Sequence, residues 1–312
     1  GRLRRVTARS GRRLSGHRGP ALAMRSSHSP SSPRSAFVTT SVSANAARSA
    51  TAAPTAPGVA TAGASAMTAA SAASRASPDS AGSGDAVASN VSTLVHAFEG
   101  ATQLLLVWAA ASGEVALRRH RTAIDAARAA GVRRIVYTSH MGANPASPFG
   151  PMPDHAATEA MLQDSGVAFT ALRNGFYTSS GRMLLGQALE TGEVAAPADG
   201  PVSWTAHDDL ADAAAIVLLN EGRFEGATPP LTGSAAVDLA DLAAIAAEVS
   251  GRPITRTVVT DAQYREQVGP AADMLLGLFA ASRAGEFAAV DPTLERLLGR
   301  PPLTVRDVLA KD

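Results

Sequence analysis

The chain has 312 residues, 46% of them hydrophobic and 18% charged, which is enough apolar material for a sizeable core in one large domain or two small ones. It has no cysteine, which excludes disulfides, a thiolate nucleophile and a Cys-ligated metal. The net charge of +1 averages two unlike regions: the first 78 residues carry eleven Arg and no acid, whereas the remainder carries 17 basic against 27 acidic residues.

Residues 1–88 are built of Ala, Ser, Thr, Pro, Gly and Arg, with neither helical nor strand periodicity. Such a composition cannot bury enough apolar area to offset the entropy of ordering it, so this third is expected to be largely disordered. An Arg- and Ser-rich start without acids also fits an organelle transit peptide, but of the two sharper readings GC-rich DNA read out of frame is favoured. Arg outnumbers Lys by 27 to one, which points to coding bias rather than chemistry. The Arg residues are scattered without interleaved aromatics, so nucleic acid is not an expected partner. The one plausible strand in the segment is 36–40 (AFVTT). With the rest disordered, the next strand would lack a neighbour and expose apolar surface.

The ordered part is read from about residue 89. Residues 91–100 (VSTLVHAFEG) carry Leu94, Val95 and Phe98 at helical spacing, and 103–108 (QLLLVW) is a continuous apolar run expected to be a buried strand. A helix over 114–130 is closed by Gly131, and 133–138 (RRIVYT) is the second buried strand. Strand, helix and strand in this order form a βαβ unit. Residues 139–153, with four prolines and two glycines, read as a loop. The next helix is expected over 154–164, N-capped by Asp154, with Ala157, Ala160 and Met161 inward. A strand follows at 167–173, breaking into Asn174-Gly175-Phe176-Tyr177.

Beyond that, helices are expected at 178–190, 207–220 (capped by Asp208 and Asp209), 238–249, 261–268 and 270–284. Strand-like segments lie at 230–232 and 254–259, and a short terminal helix falls within 294–309. Alternating strands and helices predict an α/β, Rossmann-like parallel sheet covered by helices on both faces, with a small C-terminal substrate lobe over about 190–312. No apolar run reaches the roughly 18 residues that span a bilayer, so a soluble, cytoplasmic protein with no membrane partner is expected. The seven His are scattered without ligand spacing, so no metal site is expected.

Three segments in order, RRIVYTS, then DHAATEAMLQDSGVAF, then LRNGFY, carry a resemblance. Together they resemble the NmrA-like branch of the atypical short-chain dehydrogenase/reductases, above all its NAD(P)H:quinone oxidoreductase (azoreductase-like) group. The likeness spans roughly residues 91–312. It implies a Rossmann-type domain over 89–312 that binds NADPH or NADH and passes hydride to a small, quinone-like acceptor. The alternatives are an NAD(P)-sensing regulator without turnover, or an inactive fragment. Self-association into a homo-oligomer stays open.

In open α/β sheets ligands bind beyond the carboxyl ends of the strands. The candidate cofactor-binding residues are accordingly Val107, Trp108, Thr138, Ser139, Asn174 and Gly175, with Gly175 permitting close backbone approach. Phe149, Phe176 and Tyr177 are the candidate substrate pocket. His155 and Glu159, one turn apart, face the same way. The resemblance puts them where ordinary short-chain dehydrogenases carry Tyr and Lys, so His155 is the candidate catalytic residue on the substrate side. A reduced quinone then takes its proton from water or from His155. One feature of the family is missing: the glycine-rich turn after the first strand, which receives a pyrophosphate at a helix N-terminus, has no counterpart in this sequence.

Overall fold

The computed structural model describes residues 35–39, 90–108 and 111–311, all within the compact unit Pro33–Asp312. The expectations for the rest of the first 89 residues lie outside the described residues. Among the described residues five parallel strands form the main sheet, in the order β1 (Ser35–Thr39), β2 (Gln103–Val107), β3 (Arg134–His140), β4 (Ala168–Asn174) and β8 (Gly226–Ala227). The strand expected at 36–40 is therefore present. It pairs along its whole length with β2, from Ser35 opposite Gln103 to Thr39 opposite Val107. This corrects the expectation of an unpartnered strand at 103–108: β2 is flanked on both sides, and Leu104 and Leu106 are fully buried.

Side-chain alternation explains why helices cover both faces. Leu104, Leu106, Ile135, Tyr137 and Ala171 point to one face, packed by α1 (Val91–Phe98), α2 (Glu114–Ala129) and α3 (Pro151–Ser165). Val136 and Leu172 point to the other, against Leu210, Ala213 and Val217 of α6 (His207–Leu219) and Leu294 and Leu297 of α10 (Thr293–Leu298). Gly131, at φ 76°, supplies the left-handed turn that lets the chain leave α2 and enter β3.

Several boundaries differ from those expected. Helix α3 begins at Pro151, because Pro151 and Pro153 sit in its first turn, where the missing N–H groups have no intrahelical partner to lose. Asp154 is thus not its N-cap; its carboxylate accepts from the Gly113 N–H at 2.7 Å, at the start of α2. The inward residues of α3 are Met152, Asp154, His155, Thr158 and Leu162, whereas Ala160 is exposed. Asp208 and Asp209 do not cap α6 either. Asp209, fully buried, accepts from the Leu303 N–H at 2.6 Å and pairs with Arg300 at 2.7 Å.

The smaller elements come from outside the sheet. The expected helix at 178–190 is split at Gly186 into α4 (Thr178–Leu185) and α5 (Ala188–Thr191). Strand β5 (Phe176–Tyr177) pairs with β7 (Trp204–Thr205), and β6 (Glu193–Ala196) pairs with β9 (Thr255–Val258). β5, β6, β7 and β8 have no counterpart among the expected strands; they are two to four residues long, too short for periodicity to register, and of the strand expected at 230–232 only a bridge between Leu231 and Asn174 forms. Around the two small sheets lie α7 (Leu239–Ser250), α8 (Asp261–Val268) and α9 (Ala272–Arg283). The expected terminal helix is two, α10 and α11 (Val305–Leu309), separated by the segment holding Pro301 and Pro302.

Candidate active site at the carboxyl edge of the sheet

Strands β2, β3 and β4 are in register and end side by side, with Leu106 opposite Tyr137 and His140 opposite Asn174. The sequence-predicted residues Val107, Trp108, Thr138, Ser139 and Asn174 therefore share one edge of the sheet. The strand tips are tied together: the Trp108 N–H donates to Thr138 Oγ1 at 2.9 Å, and the Met141 N–H to the Asn174 carbonyl at 2.8 Å.

Helix α3 runs beside β3, and the two periods nearly match. Two strand residues advance about 6.6 Å and four helical residues about 6.0 Å. Tyr137 and Ser139 therefore meet His155 and Glu159 as two parallel rungs. The Tyr137 hydroxyl lies 2.8 Å from His155 Nδ1, and the Ser139 hydroxyl donates to Glu159 Oε1 at 2.6 Å. Arg173 closes the second rung with a two-pronged contact, Nε to Oε1 at 3.1 Å and a terminal nitrogen to Oε2 at 2.7 Å. That geometry holds the guanidinium charged, its pKa raised chiefly by the hydrogen bond to Glu159.

The first rung is dry. His155 is 6% exposed, and its ring stacks on Trp108 at 5.4 Å between centroids. Burial holds its pKa well below the ordinary imidazole value, with His140 and His120 nearby adding to the effect. Burial likewise lowers His120 to about 4 and His140 to about 3, and raises Tyr137 well above the usual phenol. All three imidazoles are neutral at pH 7, and Tyr137 keeps its proton.

The other face of the edge is aromatic. His140 meets Phe176 at 5.1 Å and Phe287 at 5.6 Å, and Phe149 stacks on Phe176 at 5.9 Å. Phe149 and Phe176 are 8% and 7% exposed, so these two candidate pocket residues form a packed wall. Tyr177 turns to the opposite side, its ring 4.2 Å from that of His207. At Gly175 the close approach is made by the protein: a Cβ there would lie 2.2 Å from Thr205 Oγ1 and 3.0 Å from the Leu231 carbonyl.

Tyr137, His140, Arg173 and Phe287 are site residues that sequence reasoning does not single out. The alternation of β3 against the HxxxE spacing of α3 is a signal that could have found Tyr137. Nothing local points to Phe287, which arrives from a turn more than a hundred residues away. Two buried polar atoms at this edge, Trp108 Nε1 and Asn174 Oδ1, have no hydrogen-bond partner among the described residues. Buried polar groups are almost always paired, so a donor and an acceptor left open at the strand tips fit a polar ligand group arriving there.

A parallel sheet with helices on both faces and open polar atoms at its carboxyl edge defines a protein of the nucleotide-binding Rossmann class. The comparisons with known proteins agree. The family model described as NAD(P)H-binding matches residues 50–221. Quinone oxidoreductase 2 of Escherichia coli is 36% identical over 225 residues, 69% of this chain and 77% of that protein. NAD(P)H azoreductase of Xenophilus azovorans is 29% identical over 219 residues, 68% and 76% respectively. The E. coli NADPH-dependent quinone oxidoreductase solved with NADPH superposes with a TM-score of 0.66 at 33% identity, covering 72% of this chain and 81% of that one. The chain belongs to the NAD(P)H-binding, NmrA-like family of oxidoreductases.

Proposed function

We propose that this protein is an NAD(P)H-dependent reductase that passes a hydride to a quinone-like acceptor at the carboxyl edge of β2, β3 and β4. The observation that carries the reading is the set of three in-register strand ends with the unpartnered Trp108 Nε1 and Asn174 Oδ1 among them. The kinship with quinone oxidoreductase 2 and an azoreductase supports the class of acceptor.

The reduced dinucleotide, when bound, supplies the hydride. On this reading Val107, Trp108, Thr138, Ser139 and Asn174 hold its nicotinamide end, Gly175 being taken up by Thr205 and Leu231, and Asn174 Oδ1 and Trp108 Nε1 suit a carboxamide, which both donates and accepts. The chain's own contribution is positioning and exclusion of water. The Ser139–Glu159–Arg173 rung fixes the tip of β3, and the Phe149–Phe176–Phe287 wall offers a flat, apolar side to an aromatic acceptor. His155 stands on the acceptor side. The pyrophosphate end is served less well, since 40–45 (TSVSAN), which follows β1, holds no glycine.

The test is titration of purified protein with NADPH and NADH, followed by oxidation of the bound dinucleotide on adding a quinone. Binding with quinone-dependent turnover is the expected result. Binding without turnover would favour a dinucleotide-sensing regulator, and no binding would overturn both.

A further inference from the structure

His140, the last residue of β3, is fixed from its own backbone side. The Gly142 N–H donates to His140 Nδ1 at 3.0 Å, and the Ala143 N–H donates to the His140 carbonyl at 3.0 Å. A backbone N–H can only donate, so Nδ1 holds a lone pair and the neutral ring carries its proton on Nε2. The turn that makes this bond is tightly packed: a Cβ at Gly142 would stand 2.6 Å from Phe287 Cε1 and 3.0 Å from Met152 Sδ. The ring itself lies edge-to-face against Phe176 and Phe287, at 5.1 and 5.6 Å with interplanar angles of 83° and 85°, and His155 is 5.9 Å away. Turning the ring over would put a carbon in place of Nδ1 and lose the Gly142 bond. Nε2–H has no acceptor among the described residues, yet it is not one of their unpartnered polar atoms sealed from solvent. A directed N–H donor therefore stands open beside the aromatic wall.

We propose that His140 holds the acceptor, its Nε2–H donating to a carbonyl oxygen of a quinone-like ring laid against Phe176 and Phe287. This rests on the reductase reading and adds to it the group that meets the acceptor's oxygen. When the acceptor takes up the hydride, two electrons enter it and that oxygen gains a negative charge. A hydrogen bond from a preoriented donor strengthens as the charge forms. The proton that completes the hydroquinone comes from water, because surrendering Nε2–H would leave an imidazolate. Burial lowers the pKa of His140 to about 3, so it offers the same neutral donor throughout the neutral range.

Two substitutions separate the donor from the turn. His140→Asn keeps an oxygen for the Gly142 N–H but lacks the distal N–H, whereas His140→Gln brings an amide N–H near the Nε2 position and gives up the Nδ1 acceptor. With saturating NADPH, quinone reduction in His140→Asn is expected to fall about a hundredfold in kcat, with much of it recovered in His140→Gln and dinucleotide affinity unchanged in both. The reverse order, Asn active and Gln impaired, marks His140 as a turn residue only and overturns the proposal. The tautomer is read separately, from long-range 1H–15N correlations of the 15N-labelled full chain, with His140 assigned from its absence in His140→Asn. A bare Nδ1 and a protonated Nε2 are expected, and added 1,4-naphthoquinone should move the Nε2–H proton downfield, with NADP+ bound or absent. A protonated Nδ1, or an Nε2–H that the quinone leaves unmoved, overturns the proposal. A naphthoquinone shift without any oxidation of NADPH overturns the reductase reading instead and leaves the quinone contact standing.

Discussion

The two regions that meet at the carboxyl edge are built in different ways. The sheet with α1, α2 and α3 has a core of Leu, Ile and Ala, with Leu104, Leu106, Ile135, Ala126 and Ala127 from segments that each announce their own period. The second core, the lobe packed beside that sheet, sets rings among its leucines and alanines, with Phe149, Phe176, Trp204, Phe279 and Phe287 drawn from segments far apart in the chain. The sheet side contributes polar rungs to the site and the lobe contributes its apolar wall. The difference shows that a strand–helix pair fixes side chains by matched periods, whereas the wall is fixed only by rings packing on one another.

The sharpest way to break this contrast is to remove one ring. Phe287 is fully buried and touches His140, Phe149 and Phe176. Phe287→Ala is expected to cost about 4 kcal/mol in urea unfolding, the usual range for emptying a buried aromatic site. Hydrogen exchange should then show opening in the lobe and in residues 141–150 before the amides of β2 and β3. Uniform loss of protection would mean that the two cores act as one.

Acid probes both regions at once. His120 lies on the sheet side and His140 faces the lobe, and burial lowers them to about 4 and about 3 from 6.5. The unfolded chain takes up a proton near 6.5 that the folded protein refuses, so stability is complete above 6.5 and falls as pH drops towards those lower values. At pH 5 each is expected to cost about 2 kcal/mol relative to pH 7.5. Replacing either His with Asn should remove its own share of the pH dependence, which paired unfolding curves at the two pH values will check.

A smaller effect, also of about 2 kcal/mol at most, is expected where lobe and sheet backbones touch. Gly175→Ala places a methyl against Thr205 Oγ1 and the Leu231 carbonyl, and overpacking of this kind costs about 1 to 2 kcal/mol. A thermal midpoint equal to that of the parent would show that the β4–β7 contact yields easily. The smallest change is expected at the second rung. Glu159→Gln keeps the shape but removes the charge that Arg173 and Ser139 address, and should cost about 1 kcal/mol. Its dinucleotide affinity, measured in the same titration as the parent's, tells whether the rung positions the tip of β3.

Much of the site is legible in the amino-acid sequence alone. The apolar runs of β2, β3 and β4 are long enough and β-branched or aliphatic enough to declare themselves, so Trp108, Ser139 and Asn174 fall at one edge. The same reasoning misjudges α3. Its inward face is polar, with Asp154, His155 and Thr158 all buried, and a search for apolar periodicity selects Ala157, Ala160 and Met161 instead. Asp208 and Asp209 show a related error: acids at a helix start suggest capping, yet Asp209 reaches across to Arg300 and the Leu303 N–H, partners that sequence spacing does not reveal.

The sequence by itself determined the parallel α/β class, the order of the main strands and helices, and which strand tips share the carboxyl edge. These follow from local period and from the side-chain alternation of strands, which act within a few residues. Tertiary structure alone decided the Tyr137–His155 and Ser139–Glu159 rungs, the burial that keeps three imidazoles neutral, and the arrival of Phe287 beside His140. Such features depend on distances between segments far apart in the chain, and on how much water the packed elements exclude, and neither quantity is encoded in any single window of residues.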